Sequence, residues 1–136
     1  SGDDNDGFIS TFTISVDGST ITEVASLEHN TNVSTYISLV KIERNTYALA
    51  YSELSIDGFI TTFTISSDGS TITEVVSLEH DIVYGGYNSL VQVDADTYAL
   101  AYTGEGWDGF LKTFEDLNAK IFIVVRDSVM KCTSTL

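Results

Sequence analysis

The chain has 136 residues, short for two domains and ample for one with a real core. Its 43% hydrophobic content excludes a disordered chain, and 20 acidic against 6 basic residues give a net charge of −14, which argues against nucleic acid or an anionic membrane as partner. No apolar run approaches the ~18 residues of a membrane-spanning helix, Cys132 has no second cysteine to pair with, and the lack of proline beside plentiful Gly, Thr, Tyr and Phe points to an all-β chain.

In chain order, a first strand is expected near 7–15 and a second near 20–29. Four more follow between 36 and 80, the last two being Gly58 to Ser66 and Thr71 to His80. Asp68-Gly69 joins these two as a tight hairpin, because Gly accepts the positive φ such turns demand. Thr71 to His80 has apolar residues on both faces, as for a strand between packed sheets. A connection over roughly 81–87 leads to a strand at Asn88 to Val93, and Asp94-Ala95-Asp96 turns the chain. Thr97 to Thr103 then places Tyr98, Leu100 and Tyr102 on one face and the small Ala99 and Ala101 on the other. A loop containing Gly104, Gly106 and Asp108 opens the next strand, which runs to Phe114. Ala119 to Arg126, with Ile121 to Val125 as one apolar run, reads as a final strand, and 127–136 as a surface segment or short helical turn.

Self-comparison organises these strands. Asp6-Gly7-Phe8 recurs as Asp57-Gly58-Phe59 and as Asp108-Gly109-Phe110, each time 51 positions later. Aligning 6–51 with 57–102 gives 31 identities in 46 positions, so the copies arose by recent duplication. Four antiparallel strands in about 50 residues make one blade of a β-propeller. A β-solenoid or a twisted sandwich of meanders is the alternative, disfavoured because solenoid coils are usually much shorter. The expected fold is therefore all-β: four-stranded antiparallel meanders as propeller blades, about two and a half per chain. The half-blade spans 6–29, one blade 36–80, a second with a divergent end 87–126, and a tail 127–136.

The run Asp57 to His80, DGFITTFTISSDGSTITEVVSLEH, with Asn88-Ser89-Leu90-Val91 and Thr97 to Tyr102, TYALAY, resembles recently amplified propeller-type repeats of predicted microbial surface proteins. Ser15 to Thr20 and Ser66 to Thr71 also resemble the Asp-box hairpin of sialidase-like propellers, with one residue fewer between Asp and Gly and no closing aromatic. Both resemblances imply fold, and neither implies an activity. An extracellular or cell-surface location is the corresponding expectation. The start in mid-blade fits a piece of a longer polypeptide with further repeats, or copies that associate as a homo-oligomer by blade-to-blade ring closure.

No catalytic residue, metal or cofactor is expected. His29 and His80 occupy equivalent repeat positions, one per blade, and cannot converge as the three or four ligands of a zinc site. A structural role at the strand end, bonded to the crossing loop, is expected instead. Asp3, Asp4, Asn5 and Asp6 start like a calcium loop, but the ligand spacing is not kept in the later copies. Arg44 and Arg126 lie in no recognisable motif, no G-x-S-x-G elbow occurs, and Glu53 and Glu105 are not at equivalent positions. The copies differ at 30–37 against 81–88, at 41–45 against 92–96 and at 52–56 against 103–107, the first and last being loops expected to share one rim. Tyr84, Tyr87, Glu105 and Trp107 make that rim aromatic and acidic, suited to a glycan or protein ligand. The expected function is a non-catalytic binding or scaffolding module; the alternative is a carbohydrate-active enzyme, or a fragment of one, with carboxylates on the rim.

Overall fold

The computed structural model describes residues 6–115 and the backbone of 126–130. The strands are β1 (Asp6–Ile14), β2 (Ile21–Val33), β3 (Thr35–Glu43), β4 (Thr46–Ser52), β5 (Gly58–Ile65), β6 (Ile72–Asp81), β7 (Gly86–Gln92), β8 (Thr97–Thr103), β9 (Gly109–Glu115) and β10 (Arg126–Met130). A 3₁₀ turn, Glu105–Trp107, precedes β9. All pairings are antiparallel. β1 and β2 form a two-stranded sheet, while β3-β4-β5-β6 and β7-β8-β9-β10 are four-stranded meanders in sequential order. The chain is all-β with antiparallel sheets, as its composition and period-two patterning require.

The alternation in the TYALAY strands explains how the sheets stack. Leu49 and Tyr51 of β4 project to one face, where they pack with Phe63 and with Ile9 of the first sheet. Ala48 and Ala50 project to the other face and receive Leu90, Tyr98, Leu100 and Tyr102 of the third sheet. A large-residue face thus meets a small-residue face, letting the backbones approach while the interior stays filled. Of the equivalent small residues of β8, Ala101 is exposed and Ala99 is buried. At the other end Phe12 is 53% exposed, whereas its repeat equivalent Phe63 is fully buried. Both ends of the stack therefore present faces whose counterparts inside the stack are covered.

The Ser-x-Asp-Gly-Ser-Thr hairpins fold on their own polar atoms. Ser15 Oγ donates to Asp17 Oδ1 at 2.6 Å, the Ser19 amide donates to the same oxygen at 3.1 Å, and Thr20 N donates to Ser15 Oγ at 2.9 Å. Ser66, Asp68, Ser70 and Thr71 repeat these contacts. Gly18 and Gly69 adopt φ of 71° and 75°, which keeps glycine at this position. Thr11 Oγ1 donates to the Gly69 carbonyl at 2.6 Å, fastening the first sheet to the second hairpin.

Several expectations need correction. β6 is the outer strand of the middle sheet: Leu78 and Ile72 pack against the cores on its two sides, while Val75 and Val76 are exposed, so its apolar faces are covered by neighbouring sheets only in part. The first crossing shrinks to Ser34, because β2 continues to Val33 through bulges that pair Asp6 with Val33. The fourth strand of the last sheet is Arg126–Met130, paired with β9 from Arg126↔Thr113 to Met130↔Gly109. It begins where the expected strand 119–126 ends and occupies the segment read as a surface tail. Most of 119–126 lies outside the described residues, as do Asp3, Asp4 and Asn5.

Candidate functional site

Four non-glycine residues among those described have left-handed backbones: Tyr36 (φ 52°), Ile56 (φ 72°), Tyr87 (φ 53°) and Trp107 (φ 66°). They form two pairs 51 positions apart, Tyr36 with Tyr87 and Ile56 with Trp107. Left-handed geometry costs an L-residue roughly 1–2 kcal/mol, and a β-branched residue there is a true outlier. Glycine would relieve it, yet both copies hold bulky side chains in this conformation.

Local sequence and register account for the geometry. From Thr35↔Ser52 to Ser38↔Ala50, β3 advances three residues against two on β4; β7 does the same from Gly86↔Thr103 to Ser89↔Ala101. The extra residue is a β-bulge, which turns a side chain out of the regular alternation. Tyr36 and Tyr87 sit in these bulges, and their rings meet across the two sheets at 4.2 Å between centroids. Ile56 closes the β4–β5 turn, where its amide donates to the Glu53 carbonyl at 2.9 Å. Trp107 closes the β8–β9 turn likewise, donating to the Gly104 carbonyl at 3.2 Å.

The loops carrying these residues form one rim. Gly85 N donates to Ile56 O at 2.7 Å, Ser52 Oγ donates to the Gly85 carbonyl, and Asn88 Nδ2 donates to Ser52 Oγ at 3.1 Å. Asp81 accepts from the Val83 and Tyr84 amides, both at 3.0 Å, and from the Tyr102 hydroxyl at 3.0 Å. Burial would raise its carboxyl, but these donors hold it below the usual carboxylate value. The β6–β7 crossing is thereby fixed, and Tyr84 stands beside Trp107 with ring centroids 5.3 Å apart. Between the loops lies a cleft of about 200 Å³ bordered by Tyr36, Tyr84, Glu53, Leu54, Ile56 and Val33. Buried Asn30 orients Glu53 by donating Nδ2 to its Oε1 at 2.6 Å. The Tyr36 phenol is pushed above its ordinary value by the Tyr87 hydroxyl beside it, with slight burial and Tyr84 adding to the effect.

Of the residues singled out from sequence, Tyr84 lines the cleft, Tyr87 packs at a tilt against the lining residue Tyr36, and Trp107 is 72% exposed next to Tyr84. Glu105 is exposed in the 3₁₀ turn, and its carbonyl accepts from Asp108 N at 3.4 Å. Sequence reasoning missed Tyr36, Ile56, Leu54 and Val33, and weighed Glu53 only as an acid for glycoside chemistry. The signal was present for two of them: Tyr36 and Ile56 are the repeat equivalents of Tyr87 and Trp107.

His29 and His80 sit below the rim, each edge-on to the tyrosine of the TYALAY strand: His29 to Tyr51 and His80 to Tyr102, both at 4.8 Å. Their ring nitrogens make no well-formed hydrogen bond among the described residues, which corrects the expected bond to the crossing loop. Burial lowers the pKa of both. For His80 it falls to about 4, with the Lys112 charge adding to burial and Asp81 and the Asn88 carboxamide opposing it. Compared with known proteins, the chain matches no family model and no curated protein.

Proposed function

We propose that the chain is a non-catalytic, propeller-like binding module whose ligand surface is the rim formed by the crossing loops and the β4–β5 and β8–β9 turns. The observation that carries this reading is the pairing of strain with exposure: all four left-handed side chains lie on that rim, and all are exposed. Strain held at equivalent positions of two copies, where glycine would remove it, marks a function that needs those side chains. Substitution between copies supports it too. Val33 and Ile56 of the first copy are replaced by Tyr84 and Trp107 in the second, converting an aliphatic pair to an aromatic one. On this reading the stacked sheets are blades, and the open end faces are filled by further repeats or by copies of the chain. The location that suits such a module is extracellular or at a cell surface.

Trp107 is the chain's single tryptophan, so its emission reports directly on the rim. Titration with glycan and peptide panels is expected to change that emission saturably, with no product formed. Turnover of a glycoside that Glu53→Gln or Glu105→Gln abolishes would overturn this reading in favour of a carbohydrate-active enzyme.

A further inference from the structure

Resting on the binding-module reading, the geometry points to a specific ligand chemistry for the cleft between Tyr36 and Tyr84: an organic cation whose charge is spread over methyl groups, such as a quaternary ammonium. Three features of the cleft carry this. Its lining residues include two tyrosines and the aliphatic Val33, Leu54 and Ile56, residue types that welcome methyl groups. Glu53 is the one charged residue among the described residues that line it, and Asn30 holds it in place. Asn30 is a neutral donor, so it positions the carboxylate and leaves its charge uncompensated.

Charge elsewhere agrees with the assignment. Among the described residues no basic one lines the cleft. Lys112 is directed to the His80 carbonyl and the Tyr102 ring, and Lys41 lies on β3 opposite Tyr47, toward the far hairpin. The net charge of −14 favours the approach of cations over anions. A sugar is less well matched. Its ring of hydroxyls needs several directional polar partners, whereas beyond Glu53 the polar side chains among the described lining residues are the hydroxyls of Thr35, Tyr36 and Tyr84. A volume of about 200 Å³ suits a trimethylammonium head and part of its alkyl chain.

The test is a titration of the whole chain with choline chloride at constant ionic strength, read by the ring proton signals of Tyr36 and Tyr84 and by Trp107 emission. The neutral isostere 3,3-dimethylbutan-1-ol is titrated in parallel. Choline is expected to saturate these signals at least about tenfold more tightly than the alcohol, and Glu53→Gln to erase that preference. Glutamine retains an oxygen for Asn30, so this variant keeps the loop's hydrogen bond. Tyr84→Leu is expected to weaken choline by a similar factor through loss of the ring face. Equal binding of alcohol and choline, or choline binding unchanged in Glu53→Gln, would overturn the cation assignment. Choline leaving both tyrosines unmoved while a glycan or peptide shifts Trp107 would overturn the assignment and leave the binding module standing.

Discussion

The His80 ring lies across Gly58 so closely that a β-carbon on Gly58 would come within 2.6 Å of Nε2 and 2.9 Å of the Gly85 α-carbon. His29 stands over Gly7 in the same way, with Cε1 2.6 Å from where a β-carbon would be. The third Asp-Gly-Phe motif completes the argument. Among the described residues Gly109 has no atom within 4 Å of its virtual β-carbon, and position 131, where a third His would fall, is Lys. The glycine of this motif is thus the seat of the repeat's histidine, more than a turn residue opening a strand.

Gly58→Ala is therefore expected to destabilise the fold by about 1–3 kcal/mol, the usual cost of overpacking a filled site. Gly109→Ala should stay within roughly 0.5 kcal/mol of the parent. Denaturant midpoints of the two variants check this, and equal effects would disprove the pairing.

The same histidines predict acid sensitivity. Each has a folded pKa below the ordinary 6.5, so folding favours the neutral ring. Stability from this source is present above pH 6.5 and is lost as pH falls through the folded pKa, about 4 for His80. His80 alone accounts for a loss on the order of 3 kcal/mol once pH is below 4. Melting curves between pH 7 and 4 should show the decline, and His80→Gln should flatten it whatever its effect at pH 7. An unchanged slope in that variant would contradict the assignment.

Much of the strand order was legible because the chain states it twice. The 51-residue spacing gave the meander, and alternation in Thr97 to Thr103 gave the correct division into large and small faces. β10 was misplaced because it departs from the repeat and follows a more apolar run that drew the reading to itself. The rim was legible as a place where copies differ, but its strained residues were not. Tyr36 and Ile56 carry no Gly or Asn signature for a left-handed backbone; the bulge and turn that impose it arise from pairing with β4. Likewise, the cleft depends on Asn30 reaching Glu53 across 23 positions, a contact no local pattern announces.

Relieving the strain at Ile56 is expected to raise stability at the cost of binding. Ile56→Gly should gain roughly 0.5–1 kcal/mol, the left-handed penalty of about 1–2 kcal/mol less the extra backbone entropy of glycine. The same variant should weaken choline, since Ile56 forms one wall of the cleft. Thermal melting and titration on one preparation test both. A destabilised variant would mean the side chain is retained for packing.

Repeat equivalence also sets apart two phenylalanines. Phe63→Ala should cost about 3–5 kcal/mol, as for a fully buried ring. Phe12→Ala should cost far less in the isolated chain, because β1 has no neighbouring strand equivalent to β4, whose Leu49 and Tyr51 pack with Phe63. Urea unfolding of the two variants at sub-micromolar concentration compares them directly, and a similar loss in both would remove the distinction.

The account rests on a packing rule that continues past the ends of the stack: a large-residue face seeks a small-residue face. Light scattering on the purified chain across the micromolar range tests it most directly. The rule predicts a closed homo-oligomer, a multiple of 14.8 kDa, that Phe12→Asp or Ala101→Glu returns to single chains. A soluble monomer of 14.8 kDa that persists at the highest concentrations, with both apolar end faces bare, would contradict it.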